Sequence, residues 1–364
     1  MAISLIPVLS QVCMLAACGM EPVRVSPDGK GFVLANSGKP FRVWGVNYDH
    51  DDAGRLIEDY WHSEWPTVEA DFAEMKALGA NVVRIHLQLA KFMKSPEAAD
   101  SGNLQKLGDL IRLAERTGLY LDLTGLGCYH KKDVPDWYDD LDEASRWQVQ
   151  ARFWKAIAAI GSQSHAIFCY DLMNEPIVGG AKSDKDWLAG ELAGKHFVQR
   201  ITLDLKCRKR EDVERAWVET LTDAIREVDK SHMITVGVIP WGMVFPGAKP
   251  HFYMPETTGK LDFVSVHFYP KKGEVDKALE VLKTYEMGKP IVIEEIFPLA
   301  AGIEETGEFI SKSHEFADGI VSFYWGATID ENEKKGDIKG AIVASWLKWF
   351  RQNSLEPDGK KPGG

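Results

Sequence analysis

The chain has 364 residues, and at about 150 residues per domain that length admits two domains or one large α/β barrel. With 45% hydrophobic and 27% charged residues it falls outside the disordered, collagenous and coiled-coil classes. Lys plus Arg number 43 against 54 Asp plus Glu, a formal charge of −11 that argues against nucleic acid as a partner. The unusual count is 12 tryptophans, each a wide apolar face with one N–H donor.

At the amino end, Ala2 to Ala17 carry no charge and the stretch ends Leu15-Ala16-Ala17-Cys18. Such a run is short of the ~20 residues that span a bilayer and suits an export leader over 1–20. Leu-Ala-Ala-Cys also resembles the bacterial lipoprotein signal, which implies lipidation and membrane attachment at Cys18, although no Lys or Arg precedes the apolar core. An exported protein is expected, with residues 21–364 as its single domain. Without Cys13 and Cys18 three cysteines remain, Cys128, Cys169 and Cys207, an odd number that fits neither a disulfide framework nor a zinc site.

Beyond Glu21 a short β-rich apolar run recurs, followed each time by an amphipathic stretch. Strands are expected over 41–46, 81–85, 120–123, 167–172, 233–238, 263–267, 291–293 and 320–324. Helices are expected over 67–78, 104–116, 143–160, 213–228, 275–284, 305–316 and 341–351. After the fifth strand, Pro240, Pro246, Pro250 and Pro255 predict a long loop instead. Eight strands with helices between them close best as a (β/α)8 barrel with enlarged loops, because closure removes the sheet edges. An open doubly wound sheet is the alternative, but no glycine-rich dinucleotide loop follows the first strand.

In such barrels function collects at the carboxyl ends of the strands. There the sequence places Asn47, Tyr48 and His50, then Arg84 and His86, then Asp122, Thr124, Tyr129 and His130. The later strands add Asn174 and Glu175, His267 and Tyr269, Glu294 and Glu295, and Trp325. Carboxyl groups on the fourth and seventh strands face each other across the mouth. A pair about 5 Å apart is what retaining glycoside hydrolysis requires, one as proton donor and the other as nucleophile.

The segment Asp171-Leu172-Met173-Asn174-Glu175-Pro176, the strand Lys289-Pro290-Ile291-Val292-Ile293-Glu294-Glu295, Arg84, and His267-Phe268-Tyr269 together resemble glycoside hydrolase family 5. This is the cellulase and β-mannanase family of clan A, and the resemblance runs from about Phe41 to Trp325. It implies that Glu175 is the general acid/base and that Asn174 bonds the sugar 2-hydroxyl. It implies a nucleophile at Glu295, with Glu294 one position away as the alternative and otherwise a neighbouring salt-bridged group on the opposite side of the strand by the period of two; the aromatic residue and glycine usual after the nucleophile are here Ile296-Phe297-Pro298. A helix cap at a strand-to-helix turn is the bland alternative for Asn174-Glu175. Arg84 matches the arginine that keeps the nucleophile ionised, and an ordinary barrel ion pair is its alternative. His267 and Tyr269 match the pair beside the nucleophile. The family's third-strand histidine has no match, leaving His130 or His86 to fill its place.

Trp325 matches the tryptophan beneath the reacting sugar, where the apolar face of a pyranose stacks. Trp61, Trp65, Trp137 and Trp241, in loops, are further stacking candidates. Trp147, Trp154, Trp217, Trp346 and Trp349 fall at core-like helical spacing. The expected partner is a β-linked glucan or mannan, as oligosaccharide or polysaccharide, with no cofactor and no metal. Two other readings stay open. A metal-dependent barrel hydrolase would use His50, His86, His130, His267 and Asp122, but the first strand lacks a His-x-His pair. A non-catalytic carbohydrate-binding barrel would have lost a carboxylate.

Overall fold

The computed structural model describes residues 19–179, 183–323 and 325–354. Residues 1–18 of the leader expected over 1–20, Cys18 among them, and Tyr324 at the end of the expected eighth strand lie outside the described residues. Eight parallel strands close into a barrel in which each pairs with its sequence neighbour and the fifth pairs back to the fourth. They are β1 (Val43–Asn47), β2 (Val82–Gln88), β3 (Tyr120–Gly127), β4 (Ile167–Asn174), β5 (Met233–Val238), β6 (Val264–His267), β7 (Ile291–Ile296) and β8 (Gly319–Ser322).

Seven long helices pack outside: α1 (Trp65–Ala77), α2 (Ser101–Thr117), α3 (Glu143–Gly161), α4 (Arg210–Val228), α5 (Val275–Lys283), α6 (Ile303–Ser313) and α7 (Ile338–Gln352). Local chemistry marks their ends. Asp100 caps α2 by accepting from the Asn103 N–H, and Gly118 ends it at φ 66°, where a side chain would be strained. Asp142 caps α3 through the Ser145 N–H in the same way. After β5 the proline-rich stretch holds one helical turn, Trp241–Val244, and a 3-10 turn, Thr258–Lys260, rather than a full helix.

The run expected as one strand over 41–46 divides in two. Pro40–Phe41 pairs with Phe32–Leu34, which pairs with Val23–Val25, and only Val43 onward joins the barrel. The resulting antiparallel flap seals the amino-terminal base: Val23 and Phe32 pack with Val43, Val82, Phe168, Met233, Phe263, Val292 and Val321. The Phe32 ring meets Phe168 and Phe263 edge-on, each at 5.3 Å. No helix among the described residues is long and apolar enough to cross a membrane. Cys128 and Cys169 are buried thiols and Cys207 is exposed.

Candidate active site

At the carboxyl end of the barrel, register decides which side chains meet. Asn47 lies beside Arg84 and Arg84 beside Asp122, so β1, β2 and β3 present one row of polar residues. Asn174 lies beside Gly237, and His267 beside Glu295. Glu175 follows β4 with φ 46°, a left-handed backbone rare for a residue with a Cβ, and its N–H donates to the Gly237 carbonyl at 2.9 Å. The next residues form a short strand, Pro176–Val178, paired with Gln199–Thr202. No helix starts there, so Asn174-Glu175 is not a helix cap.

His267 joins the two carboxylates. Its Nδ1 bonds Glu175 Oε1 at 2.9 Å and lies 3.5 Å from Glu295 Oε2. One oxygen of Glu175, one of Glu295 and a His267 nitrogen all lie within 4.8 Å of one another. The Tyr269 hydroxyl donates to Glu295 Oε2 at 2.6 Å, and Arg84 Nη1 donates to Glu295 Oε1 at 2.7 Å. Arg84 Nη2 donates to Asp171 Oδ2 at 2.8 Å and to Asn174 Oδ1 at 2.9 Å. Asp171 also accepts from the Thr124 hydroxyl and the Gly237 N–H, so one arginine and one strand amide tie four strands together.

Burial and charge set the protonation states here. Burial works to strip the proton from His267, but Glu295, Glu175 and Glu294 outweigh it and lift its pKa to about 10. Burial pushes the Tyr269 phenol well above its usual range, so it stays a donor. Burial and the neighbouring Glu175 raise Glu295 against the pull of His267, Arg84 and Tyr269. Burial and the Arg84 charge drive His86 well below its usual value, so it is neutral.

Several expectations change. Glu294 does not point away from Glu295: its Oε2 lies 3.3 Å from His267 Nε2 and 3.6 Å from Arg84 Nη2. The register of β7 against β8 shifts between Ile293 and Ile296, which breaks the alternation on which the expectation rested. Exposure still separates the two acids, since the Glu294 side chain has none and that of Glu295 has 8%. Of the two histidines, His86 joins the polar row, bonding the Tyr129 hydroxyl and, at 3.0 Å, Asn47 Oδ1. His130 is half-buried at the start of a 3-10 turn and lines a narrow cavity with Gln88 and Tyr129.

Trp61 is no stacking surface. It is fully buried, and its N–H donates to Asn103 Oδ1 at 3.2 Å. Trp65 opens α1 beneath the Lys106 ammonium, Trp137 packs half-buried beside Tyr138, and Trp241 stacks on Phe245. Trp325 follows β8; its amide donates to the Asn47 carbonyl at 2.7 Å and its ring stands edge-on to Tyr48 with 1% of its surface exposed, so, like Trp61, it is covered by its neighbours rather than open as the expected sugar platform. Trp147, Trp154, Trp217 and Trp346 are buried in the helical shell as expected, and Trp349 stacks on Trp346.

Gly237 is the site residue that sequence reading passed over. A Cβ there would sit 2.4 Å from Glu294 Oε2 and 2.7 Å from His267 Nε2. An isolated glycine inside the run Met233–Val238 is the signal that could have found it.

The family model for cellulase, glycosyl hydrolase family 5, matches residues 34–296. No curated protein matches the sequence. The fold is similar to that of an exo-β-1,4-mannosidase from Opitutaceae bacterium strain TAV5, with TM-score 0.64 and 16% identity over 89% of this chain and 60% of that one. It is similar to the catalytic domain of a Thermobifida fusca endoglucanase, with TM-score 0.61 and 16% identity over 91% and 96%. A β-1,4-mannanase from the sea hare Aplysia kurodai gives TM-score 0.62 and 16% identity over 93% and 99%. The chain thus spans less than two thirds of the first of these and nearly all of the other two. At such identities the likeness is one of fold.

Proposed function

The chain belongs to glycosyl hydrolase family 5 and is a glycoside hydrolase, and from that premise we propose that it cleaves β-linked glucan or mannan by double displacement, with Glu175 as acid/base and Glu295 as nucleophile. The observation that carries this is the separation of the two acids. Their nearest oxygens lie within 4.8 Å, the spacing of a retaining pair (about 5 Å) rather than of an inverting one, which leaves room for a water. Glu295 is preferred to Glu294 because only an exposed oxygen can reach an anomeric carbon, and Glu294 has no exposed surface.

In the first step Glu295 attacks the anomeric carbon while Glu175 protonates the leaving oxygen. In the second, Glu175 takes a proton from water, which displaces Glu295. Arg84 and Tyr269 hold the two oxygens of Glu295, and the phenol releases its oxygen as the glycosyl–enzyme bond forms. Asn174, fixed by Arg84 and by the Phe197 carbonyl, faces the sugar 2-hydroxyl. Trp325 closes the β8 side of the rim, and Trp137 and Trp241 serve outer sugar units, with His130 at the edge. Export through the leader, and attachment to a membrane through Cys18, belong to the same reading: a polysaccharide is met outside the cell.

The test is chemical rescue with an activated aryl β-glycoside. Glu295→Ala is expected to lose turnover and, with azide, to recover it as the α-glycosyl azide. Rescue of Glu294→Ala instead would move the nucleophile by one residue, and rescue of neither would end the double-displacement reading. A panel of β-glucans, β-mannans and their oligosaccharides decides substrate and mode of attack together.

A further inference from the structure

One contact in the barrel is left unused by the chemistry above. Asp122 on β3 and Glu294 on β7 belong to strands that are not neighbours in the ring, so their carboxyl groups meet across the lumen. One oxygen of each lies within 4.8 Å of the other and of the Cys169 sulfur. Both residues are buried, and Asp122 Oδ1 and Glu294 Oε1 have no hydrogen-bond donor among the described residues. Two ionised carboxylates cannot share so dry a space, and an orphaned oxygen there loses its solvation without return. One proton between them removes both penalties.

We propose that Asp122 stands as a carboxylic acid at neutral pH and donates to Glu294, acting as the positioning residue that holds Glu294 as the anionic partner of His267. A hydrogen-bonded chain then runs outward from the lumen. Asp122 meets Glu294, Glu294 Oε2 lies 3.3 Å from His267 Nε2, and His267 Nδ1 lies 2.9 Å from Glu175 Oε1. The charges around the pair agree. Arg84 and His86 face it from β2, Asp171 and Cys169 from β4, and His267 and Glu295 from β6 and β7, with Tyr253 beyond. Arg84 and protonated His267 already face Glu294, Glu295 and Asp171, so a further anion would have no cation. Burial and the neighbouring Glu294 push Asp122 well above the carboxylate range. Burial acts the same way on Glu294, but Arg84 and His267 overcome it and hold Glu294 at about 2.

The catalytic consequence rests on Glu175 as acid/base, whereas the proton itself does not, and the experiment separates the two. Infrared spectra of the wild type at neutral pH should contain the carbonyl stretch of an un-ionised aspartic acid, shifted by ¹³C-aspartate labelling and absent in Asp122→Asn. The asparagine amide donates in the same place without charge, so the ¹⁵N titration of the His267 imidazole and the basic limb of kcat/KM should stay where they are. Asp122→Leu removes the donor and leaves Glu294 ionised with a higher proton affinity, so it holds the His267 proton more tightly and the ¹⁵N titration of His267 should move to higher pH. Absence of the band in the wild type overturns the proposal, as does an equal displacement in the Asn and Leu variants. If the leucine variant does not fold, the band and the asparagine variant still decide. If no glycoside is turned over, the infrared and NMR readings still report the proton while the hydrolase mechanism alone fails.

Discussion

The two ends of the barrel are built from the same eight strands to opposite rules. The base is apolar: the flap lays Phe32 against Phe168 and Phe263, and Val43, Val82, Val292 and Val321 fill the space beneath it. The mouth gathers Arg84, Asp171, His267, Glu294 and Glu295 with almost no solvent. Burying apolar surface lowers the free energy without regard to direction, whereas burying charge raises it unless each group finds a fixed partner. The base can therefore be read as stability. The mouth is an arrangement that stability alone would not select, and its cost is offset elsewhere.

The sharpest way to break that contrast is to remove the guanidinium that faces Asp171, Glu294 and Glu295. Arg84→Met should cost on the order of a thousandfold or more in kcat/KM and about 3–5 kcal/mol of unfolding free energy, because uncompensated buried acids remain. Denaturant unfolding and turnover of an aryl glycoside measure the two effects, and a variant retaining half its activity would take Arg84 out of the mechanism. Phe32→Ala is the counterpart at the base. It should cost about 3–5 kcal/mol through lost burial and an unfilled cavity, with the folded protein's kcat/KM unaltered. A change in kcat/KM there would show that the two ends are coupled rather than separate.

How much of this was legible in the sequence follows the same division. The strands and helices announced themselves because alternating βα units repeat a pattern that spans the whole chain. The flap did not, since Pro40–Phe41 runs on into β1 with only Arg42 between them. At the mouth, Glu175, Glu295, Arg84, His267 and Tyr269 were legible because motif and strand end coincide, and the structure brings all five together. The inward placement of Glu294 was not, because a register shift in β7 cancels the period of two. Trp61 was misread for a related reason: a loop position says nothing about whether a ring points to the cleft or to the Phe92 side of the core.

A smaller perturbation tests how closely the mouth is packed. Gly237→Ala places a methyl group where Glu294 Oε2 and His267 Nε2 now stand, and overpacking of that kind costs about 1–3 kcal/mol. The melting temperature should fall and kcat/KM with it, since the displaced His267 is the group that bonds Glu175. Full activity in a destabilised variant would mean that the strain relaxes away from the acids.

The finest test removes a single hydrogen bond. The Tyr269 hydroxyl donates to Glu295 Oε2, and a donor of that kind favours the ionised carboxylate. Burial already sets Glu295 above the usual carboxylate value, so the acid limb of kcat/KM, which reports ionisation of the free nucleophile, should lie above that value in the wild type. Tyr269→Phe removes a downward pull and leaves the burial in place, so the limb should move further up. A hydrogen bond to a charged group contributes about 1.5–3 kcal/mol, which corresponds to roughly one to two pH units. The shift must be upward. A downward shift would mean that the limb belongs to a group other than Glu295, and an unmoved limb would mean that Arg84 and His267 alone set the charge of the nucleophile.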